Sequence, residues 1–287
     1  LAPKRTAAAG RGWLSDVATF GAYAAPFVAT ALGYEVLRGV IHYRGADHFA
    51  TVHVEDLHDL DARLFSLPTS EGVRSLTDLI GAHAHPILDV VCGAAYLLFL
   101  IEVFGIAAYL FFRARPKMLE LSSGFFALNV TGWIIWLLYP AAPPWYVDQY
   151  GFGPVVQNAA SNPAGLLRLD ALLGTPIAAT FYAKSANVFG AMPSLHVAYV
   201  TLVACVAWPL GGALRVFTLF FAALIAFSAV YLRHHYVIDI VAGMVLAVCV
   251  SMAMRSFVRV IVTQALPEPQ PRPQPEPEVQ PEPEVQT

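Results

Sequence analysis

Two short stretches of the sequence carry side chains that can act as an acid, a base or a nucleophile. One places His196 after the run Met-Pro-Ser-Leu, and the other contains His235 with Asp239 four residues later. On a helix this spacing puts two side chains on one face and within reach of each other. A carboxylate bonded to one imidazole nitrogen fixes the tautomer and leaves the other nitrogen free to attack. The pair therefore indicates an activated histidine.

Two other interpretations fit the same residues. His235 and Asp239 are compatible with a structural hydrogen bond at a helix end. Two histidines and an aspartate are also metal ligands, although such spacing fits many unrelated sites. His196, at the same predicted depth, favours chemistry, and this chemistry needs neither a metal nor a cofactor. His85 and Asp89 repeat the four-residue spacing, and packing is favoured for them over substrate binding.

The composition restricts the class of protein. Of 287 residues, 57% are hydrophobic and 13% are charged, and the mean hydropathy is +0.58. Soluble domains carry about 25% charged residues. A soluble enzyme, a disordered protein and a nucleic-acid binder are therefore excluded. The net charge of -3 gives no reason to expect a polyanionic partner, and three cysteines inside apolar runs predict no disulfide framework.

Membrane-spanning helices are the elements expected to position the histidines. A spanning helix needs about 20 mostly apolar residues. Six runs are candidates: 17–40, 86–112, 121–141, 196–210, 214–232 and 237–261. We therefore expect an all-α polytopic membrane protein with six transmembrane helices. Its predicted parts are a cytoplasmic N-terminal segment (1–16), a catalytic membrane domain (17–265) and a disordered, Pro/Glu-rich cytoplasmic tail (266–287).

Lysine and arginine residues in the short loops predict the orientation. They precede the first run, separate the second from the third and the fourth from the fifth, and close the sixth. With six spans, all of these positions fall on the cytoplasmic side. Segments 42–85 and 142–193 are then extracytoplasmic, and the candidate catalytic residues lie at the extracytoplasmic ends of helices four to six.

Several motifs, in order, carry a family resemblance. The Pro-Ser-Leu-His ending at His196 and the stretch from His235 to Asp239 resemble the two histidine motifs of the type 2 phosphatidic acid phosphatase superfamily. Three further stretches resemble its inositol phosphorylceramide synthase branch: 139–146 with Pro-Pro-Trp-Tyr, 165–170 with its Arg and Asp, and 188–196. The resemblance covers about 121–243.

The resemblance implies an activity and roles for residues. His235 would be the nucleophile, Asp239 its orienting partner, and His196 the general acid and then base. The implied reaction moves phosphoinositol from phosphatidylinositol to a lipid or glycan hydroxyl through a phosphohistidine. The candidate substrate-binding residues are Arg168, Asp170, Arg233, Ser194, Lys184 and His234.

Structural alternatives accompany some of these roles. Arg168 is also compatible with a structural pair to Asp170, and Lys184 with an exposed loop lysine. His234 is rotated by about 100° from the Asp239 face of a helix, so we expect it to matter less than His235.

One departure from the superfamily's pattern bears on the activity. Its phosphatases place Ser-Arg shortly before the second histidine, where this chain has Ser228 and Ala229. The missing arginine argues against a plain phosphatase, and Arg168 or Arg233 would supply the phosphate contact. A lipid phosphate or polyprenyl phosphatase stays the second hypothesis and a non-enzymatic transporter the third. The expected location is the bacterial plasma membrane with the site facing outward, or the Golgi lumen in a eukaryote.

Overall fold

The computed structural model describes residues 13–44, 51–70, 72–156, 158–183 and 187–265. Its long helices are α1 (Trp13–Arg44), α4 (Pro86–Arg113), α5 (Arg115–Leu138), α10 (Gly212–Tyr231) and α11 (Val237–Ala265). Each of these five is long and apolar enough to cross a membrane. The predicted helical membrane architecture is therefore confirmed in its main feature. The predicted tail (266–287) and most of the predicted N-terminal segment lie outside the described residues.

The fourth predicted span is a shorter helix. Helix α9 (Leu195–Ala207) continues into a 3-10 turn at Trp208–Leu210. The whole apolar segment, Leu195–Leu210, is shorter than the five long helices. Nine of the 13 residues of α9 are buried, because the helix packs against α5, α10 and α11 at once. A helix that is apolar all round suits such a central position.

Short elements fill the two segments between the long helices that were predicted to be extracytoplasmic. They are α2 (Glu55–Leu64), β1 (Ser66–Thr69), β2 (Gly72–Ser75), α3 (Leu76–Gly81), α6 (Pro144–Tyr150), α7 (Leu166–Leu173) and α8 (Ile177–Tyr182). Strands β1 and β2 form an antiparallel pair with Ser66 opposite Ser75. This hairpin is the departure from the predicted all-helical fold.

A buried carboxylate fastens the first of these segments to the start of α11. Asp61 of α2 accepts a bond from the backbone N–H of Ile238 at 2.9 Å and another from the Thr77 hydroxyl at 2.7 Å. Both bonds use the two oxygens of one carboxylate, which leaves little freedom for α2. The chain that begins α11 is thereby held at the same end of the bundle as α2 and α3.

The beginnings of α9 and α11 touch through their backbones. The Ser194 N–H donates to the Asp239 carbonyl at 3.0 Å. A Cβ added at Gly243 would lie 2.4 Å from the Ser194 carbonyl oxygen, so only glycine allows this approach. His196 follows Ser194 by two residues, and Asp239 is itself the acceptor of this bond. The contact therefore sets the position of His196 relative to Asp239.

Candidate active site

The structure brings the three predicted catalytic residues together at one end of the bundle. His196 lies in the first turn of α9 and Asp239 in the first turn of α11, while His235 lies in the loop between α10 and α11. The ring centroids of His196 and His235 are 5.8 Å apart. His235 is 5% exposed and Asp239 is fully buried. The two imidazoles are therefore close enough to act on one reacting group in the cavity that both residues line.

The hydrogen-bond partner of His235 differs from the predicted one. Its Nδ1 lies 2.9 Å from the Ala191 carbonyl oxygen and 3.6 Å from Oδ2 of Asp239. The shorter contact is the hydrogen bond, and a carbonyl oxygen only accepts, so Nδ1 carries the proton. Nε2 then holds the lone pair. Asp239 Oδ2 accepts from the Tyr236 N–H at 2.9 Å, so the aspartate holds the loop as well as facing the ring.

The protonation state of His235 suits a nucleophile. Burial lowers its pKa from 6.5 to about 4, against the opposing effect of the bond to Ala191. Burial disfavours the charged imidazolium. The ring is therefore neutral at physiological pH, and its Nε2 lone pair is free to attack.

Aromatic rings fix the orientation of the histidines. The Tyr96 ring stacks on His196 at 4.5 Å between centroids and on His234 at 5.1 Å. Tyr182 stacks on the other face of His234 at 4.9 Å, and Phe99 meets His196 edge-on at 4.9 Å. Four rings thus form a continuous stack in the order Tyr182, His234, Tyr96 and His196. The sequence motifs identify its histidines but give no signal for the two tyrosines.

The three histidines open onto a cavity of about 560 Å³, which we name the histidine cavity. Its polar side chains include Asn162, Asn187 and Ser161. Its apolar walls continue between the long helices, with Phe27 of α1, Phe104 of α4 and Phe125 of α5. The cavity therefore joins a polar end at the histidines to an apolar interior within the membrane-spanning part.

One face of α1 forms a wall of this cavity. The residues on that face are Phe27, Thr30, Ala31, Tyr34, Glu35 and Arg38. They recur every three or four positions, as one helical face does, and span about 16 Å at 1.5 Å per residue. Arg38 forms an ion pair with Glu35. Among the described residues, Arg38 is the one lysine or arginine that lines the histidine cavity.

Two predicted phosphate-binding arginines lie elsewhere. Arg168 donates to Asp89 at 2.6 Å, not to Asp170 as its structural alternative proposed. Arg233 forms two bonds to Asp148, at 2.6 and 2.8 Å, and one to Asp78 at 2.9 Å. Both arginines line a separate cavity of about 680 Å³, which we name the arginine cavity.

Two other predicted substrate-binding residues have structural partners. Asp170 is buried and accepts from the N–H groups of Ala178 and Ala179, each at 2.9 Å. It thereby caps the start of α8, the helix that carries Tyr182. Ser194 is the N-cap of α9 and is fully buried. Lys184 lies outside the described residues, so its predicted role stays a prediction.

His85 and Asp89 take the structural role that the sequence favoured. The His85 side chain caps α4 by accepting from the Ile87 N–H at 3.2 Å. Asp89 accepts from Arg168 and from the Tyr231 hydroxyl at 2.7 Å. In the described part of the chain, no group of three or more His, Cys, Asp and Glu side chains has a geometry that could hold a metal ion.

A membrane bundle with two histidines facing one cavity defines a class of membrane enzyme, and comparison with known families identifies it. The sequence model of the PAP2 superfamily matches residues 62–253, and the chain belongs to this superfamily. It is an integral, multi-pass membrane protein and a phosphotransferase.

Characterised relatives refine the comparison. The chain is 31% identical to the phosphoinositol dihydroceramide synthase of Bacteroides thetaiotaomicron, over 76% of this chain and 71% of that protein. It is 34% identical to the catalytic subunit of inositol phosphorylceramide synthase from Schizosaccharomyces pombe, over 63% of this chain and 44% of that protein. The inositol phosphorylceramide synthase of Candida albicans is 30% identical, over 61% of this chain and 38% of that protein. The chain thus spans less than half of these fungal relatives. No solved structure gives a significant match.

Proposed function

We propose that this enzyme moves a phosphoinositol headgroup from phosphatidylinositol to a lipid hydroxyl. The observation that carries the proposal is that His196 and His235 face one cavity whose walls continue into the membrane-spanning part. The names of the bacterial and fungal relatives describe synthases of phosphoinositol-bearing ceramides. A ceramide-type alcohol is accordingly the acceptor class we propose.

The first step forms a covalent intermediate on His235. Its Nε2 lone pair attacks the phosphorus of the donor, and the bond from phosphorus to the diacylglycerol oxygen breaks. His196, which enters this step as the protonated imidazolium, gives that oxygen a proton, because an alkoxide is a poor leaving group. Diacylglycerol departs, and the headgroup phosphate stays on Nε2. Nδ1 keeps its proton and continues to donate a hydrogen bond to the Ala191 carbonyl. Asp239 Oδ2, at 3.6 Å from Nδ1, stabilises the positive charge on the phosphorylated ring.

The second step reverses the roles of acid and base. His196, now neutral, takes the proton of the acceptor hydroxyl, whose oxygen attacks phosphorus. The bond from phosphorus to Nε2 breaks, and His235 regains its lone pair. Two easier displacements replace one difficult one. If water takes the place of the acceptor, the same steps release the headgroup phosphate, which is the phosphatase alternative.

Charge that builds on the phosphate oxygens needs a cation or hydrogen-bond donors. Arg168 and Arg233 are already bound to carboxylates, and releasing either leaves a carboxylate without its partner. Arg38 of α1 lines the histidine cavity, and its ion-pair partner among the described residues is the exposed Glu35. We therefore assign the phosphate contact to Arg38, with the amides of Asn162 and Asn187 as further donors.

Labelled substrate tests the proposed reaction. Purified protein receives phosphatidylinositol labelled in the inositol ring, with and without dihydroceramide. The expected result is diacylglycerol with a labelled inositol-phosphate lipid that requires the acceptor. Release of water-soluble inositol phosphate at the same rate with or without acceptor would favour the phosphatase. No turnover of the donor under either condition by folded wild-type protein would contradict the enzyme assignment. The matched control for histidine substitutions is His83→Ala, a change at an exposed histidine.

We also propose that the histidine cavity faces away from the cytoplasm, as the distribution of basic residues predicts. The test uses a protein in which Cys92, Cys205 and Cys249 are replaced by alanine. Gln149→Cys, in the exposed part of α6, is expected to react with an impermeant thiol reagent in intact cells. Ala213→Cys, at the opposite end of the bundle, is expected to react only after lysis. The reverse pattern would overturn the orientation.

A further inference from the structure

His234 is the third histidine of the cavity, and the proposed reaction gives it no part. It is 6% exposed. Its ring lies between those of Tyr96 and Tyr182, nearly parallel to the first at 7° between planes and tilted from the second by 22°. A ring clamped on both faces cannot turn over, so each of its two nitrogens has a fixed direction.

The two nitrogens of His234 have different surroundings. The Pro163 carbonyl is the backbone neighbour whose hydrogen-bonding effect raises the pKa of the ring, and Nε2 is buried with no hydrogen-bond partner among the described residues. We assign the Pro163 contact to Nδ1, which then carries the proton because a carbonyl oxygen only accepts. Nε2 is left with a lone pair and no donor, in a residue that lines the histidine cavity.

The charge state of His234 decides what Nε2 can bind. Burial lowers its pKa well below 6.5, and the neighbouring His235 and His196 lower it further. The neutral ring offers Nε2 only as an acceptor. Phosphate oxygens at neutral pH are acceptors too, so they do not satisfy this nitrogen. A group that carries a polar hydrogen does, and the substrates of the proposed reaction supply hydroxyls.

We propose that Nε2 of His234 accepts a hydrogen bond from a substrate hydroxyl and thereby selects hydroxyl-bearing substrates. The inference rests on the proposed function. The hydroxyl belongs either to the donor's headgroup or to the acceptor lipid, because both enter the same cavity. Sites built to bond a hydroxyl reject analogues that lack it, since the buried polar group is then left unpaired. His234 is in this sense a specificity residue, next in sequence to the nucleophile.

The main variant is His234→Phe, which keeps a flat ring between the two tyrosines and removes Nε2. For the headgroup, the measurement is the ratio of kcat/KM for phosphatidylinositol to that for phosphatidylethanol, which has no headgroup hydroxyl. For the acceptor, it is the ratio for dihydroceramide to that for its analogue lacking the 3-hydroxyl. We expect one of the two ratios to fall at least tenfold in the variant and the other to stay within about twofold. The ratio that falls identifies the source of the hydroxyl.

Two results would overturn the inference. Both ratios could stay at the wild-type value in a folded His234→Phe protein, which would make the residue a packing element. Alternatively both substrates of each pair could slow equally, which would make its role positional. His234→Asn, which keeps a polar group near the position of Nδ1 but has none at Nε2, serves if the phenylalanine protein does not fold. Failure of the wild type to use phosphatidylinositol counts against the proposed function instead, and the same ratios are then measured on whichever hydroxyl-bearing donor it uses.

Discussion

The two cavities at this end of the bundle are close in size and share Trp145 and Asn162, yet their polar groups are arranged in opposite ways. In the arginine cavity, Arg168 and Arg233 are paired with carboxylates. In the histidine cavity, Nε2 of His234 and the Tyr96 hydroxyl are buried and have no hydrogen-bond partner among the residues that the structure describes. Behind the nucleophile, Oδ1 of Asp239 also lacks one.

The difference between the two cavities indicates that one has a structural role and the other a catalytic role. A buried polar atom without a partner costs about 1–3 kcal/mol, so a fold retains several in one place only if another molecule completes them or if the reaction uses them. Charges that satisfy each other fix the backbone between elements distant in sequence. We infer that the arginine cavity holds the loops at this end of the bundle in place and that the histidine cavity receives the substrate.

The strongest test of this contrast is to remove the reacting groups. His235→Ala, His196→Ala and Asp239→Ala are each expected to lower turnover at least 1,000-fold, since acid–base catalysis alone contributes 10²–10⁴. Thermal unfolding in detergent is expected to change little for the two histidine variants. The covalent intermediate, trapped by an alkaline denaturing quench because a phosphorus–nitrogen bond hydrolyses in acid, is expected to vanish in His235→Ala. An adduct that persists in that variant would show that the nucleophile lies elsewhere.

Next in size is the effect of the cation in the histidine cavity. Arg38→Ala is expected to reduce kcat/KM about tenfold, less than the loss of a buried oxyanion donor because this arginine is 45% exposed. Arg38→Lys is expected to recover part of the rate. The matched control is Arg63→Ala, at an exposed arginine of α2 outside both cavities. Equal activity in the two alanine variants would remove Arg38 from the phosphate site.

Removing an arginine from the arginine cavity is expected to lower the stability of the protein more than its turnover rate. Arg168→Ala leaves the carboxylate of Asp89, whose side chain is 7% exposed, without a cation and with a hydrogen bond from the neutral Tyr231 hydroxyl. We expect a loss of about 2 kcal/mol, below the 3–5 kcal/mol of fully buried pairs, because Arg168 is 30% exposed. Thermal melting in detergent measures it. A tenfold or larger drop in kcat at full stability would return Arg168 to the phosphate site.

The smallest expected effect is that of Asp170→Asn. The sequence pattern predicted that this residue selects the donor headgroup, but both of its oxygens accept backbone N–H bonds at the start of α8. Asparagine keeps one acceptor at such a cap, so we expect a loss of about 1 kcal/mol and a ratio of phosphatidylinositol to phosphatidylglycerol turnover within twofold of the wild type. A larger shift in that ratio would restore the predicted role.

Local signals in the sequence were enough for the long helices and for the residues proposed to be catalytic. Five apolar runs became five long helices, and the structure places His196, His235 and Asp239 near one another, although His235 lies in a loop and bonds the Ala191 carbonyl. The partner of Arg168 was not predictable in this way. Asp89 lies 79 residues earlier in the chain, and only the packing of α4 against α7 brings the two together.

His234 shows a second limit, which concerns local geometry. The 100° rotation from its neighbour assumed a continuous helix, but Arg233 has φ +63°. The N–H groups of His234 and His235 both donate to the Ala229 carbonyl, at 3.0 and 3.1 Å. In this turn both rings line the same cavity. The sequence carries no glycine at 233 to indicate the left-handed residue that makes the turn possible.

The wall formed by α1 has a consequence for how the reaction runs in a membrane. Its face from Phe27 to Arg38 lines the histidine cavity, while most of the helix is open to its surroundings. If the donor and acceptor of the proposed reaction reach the histidines beside this helix, they diffuse in two dimensions, and both products leave into the same leaflet. The rate then follows the mole fraction of each substrate in the bilayer. Diluting both with inert lipid slows turnover even when the amount of substrate per volume of buffer is unchanged.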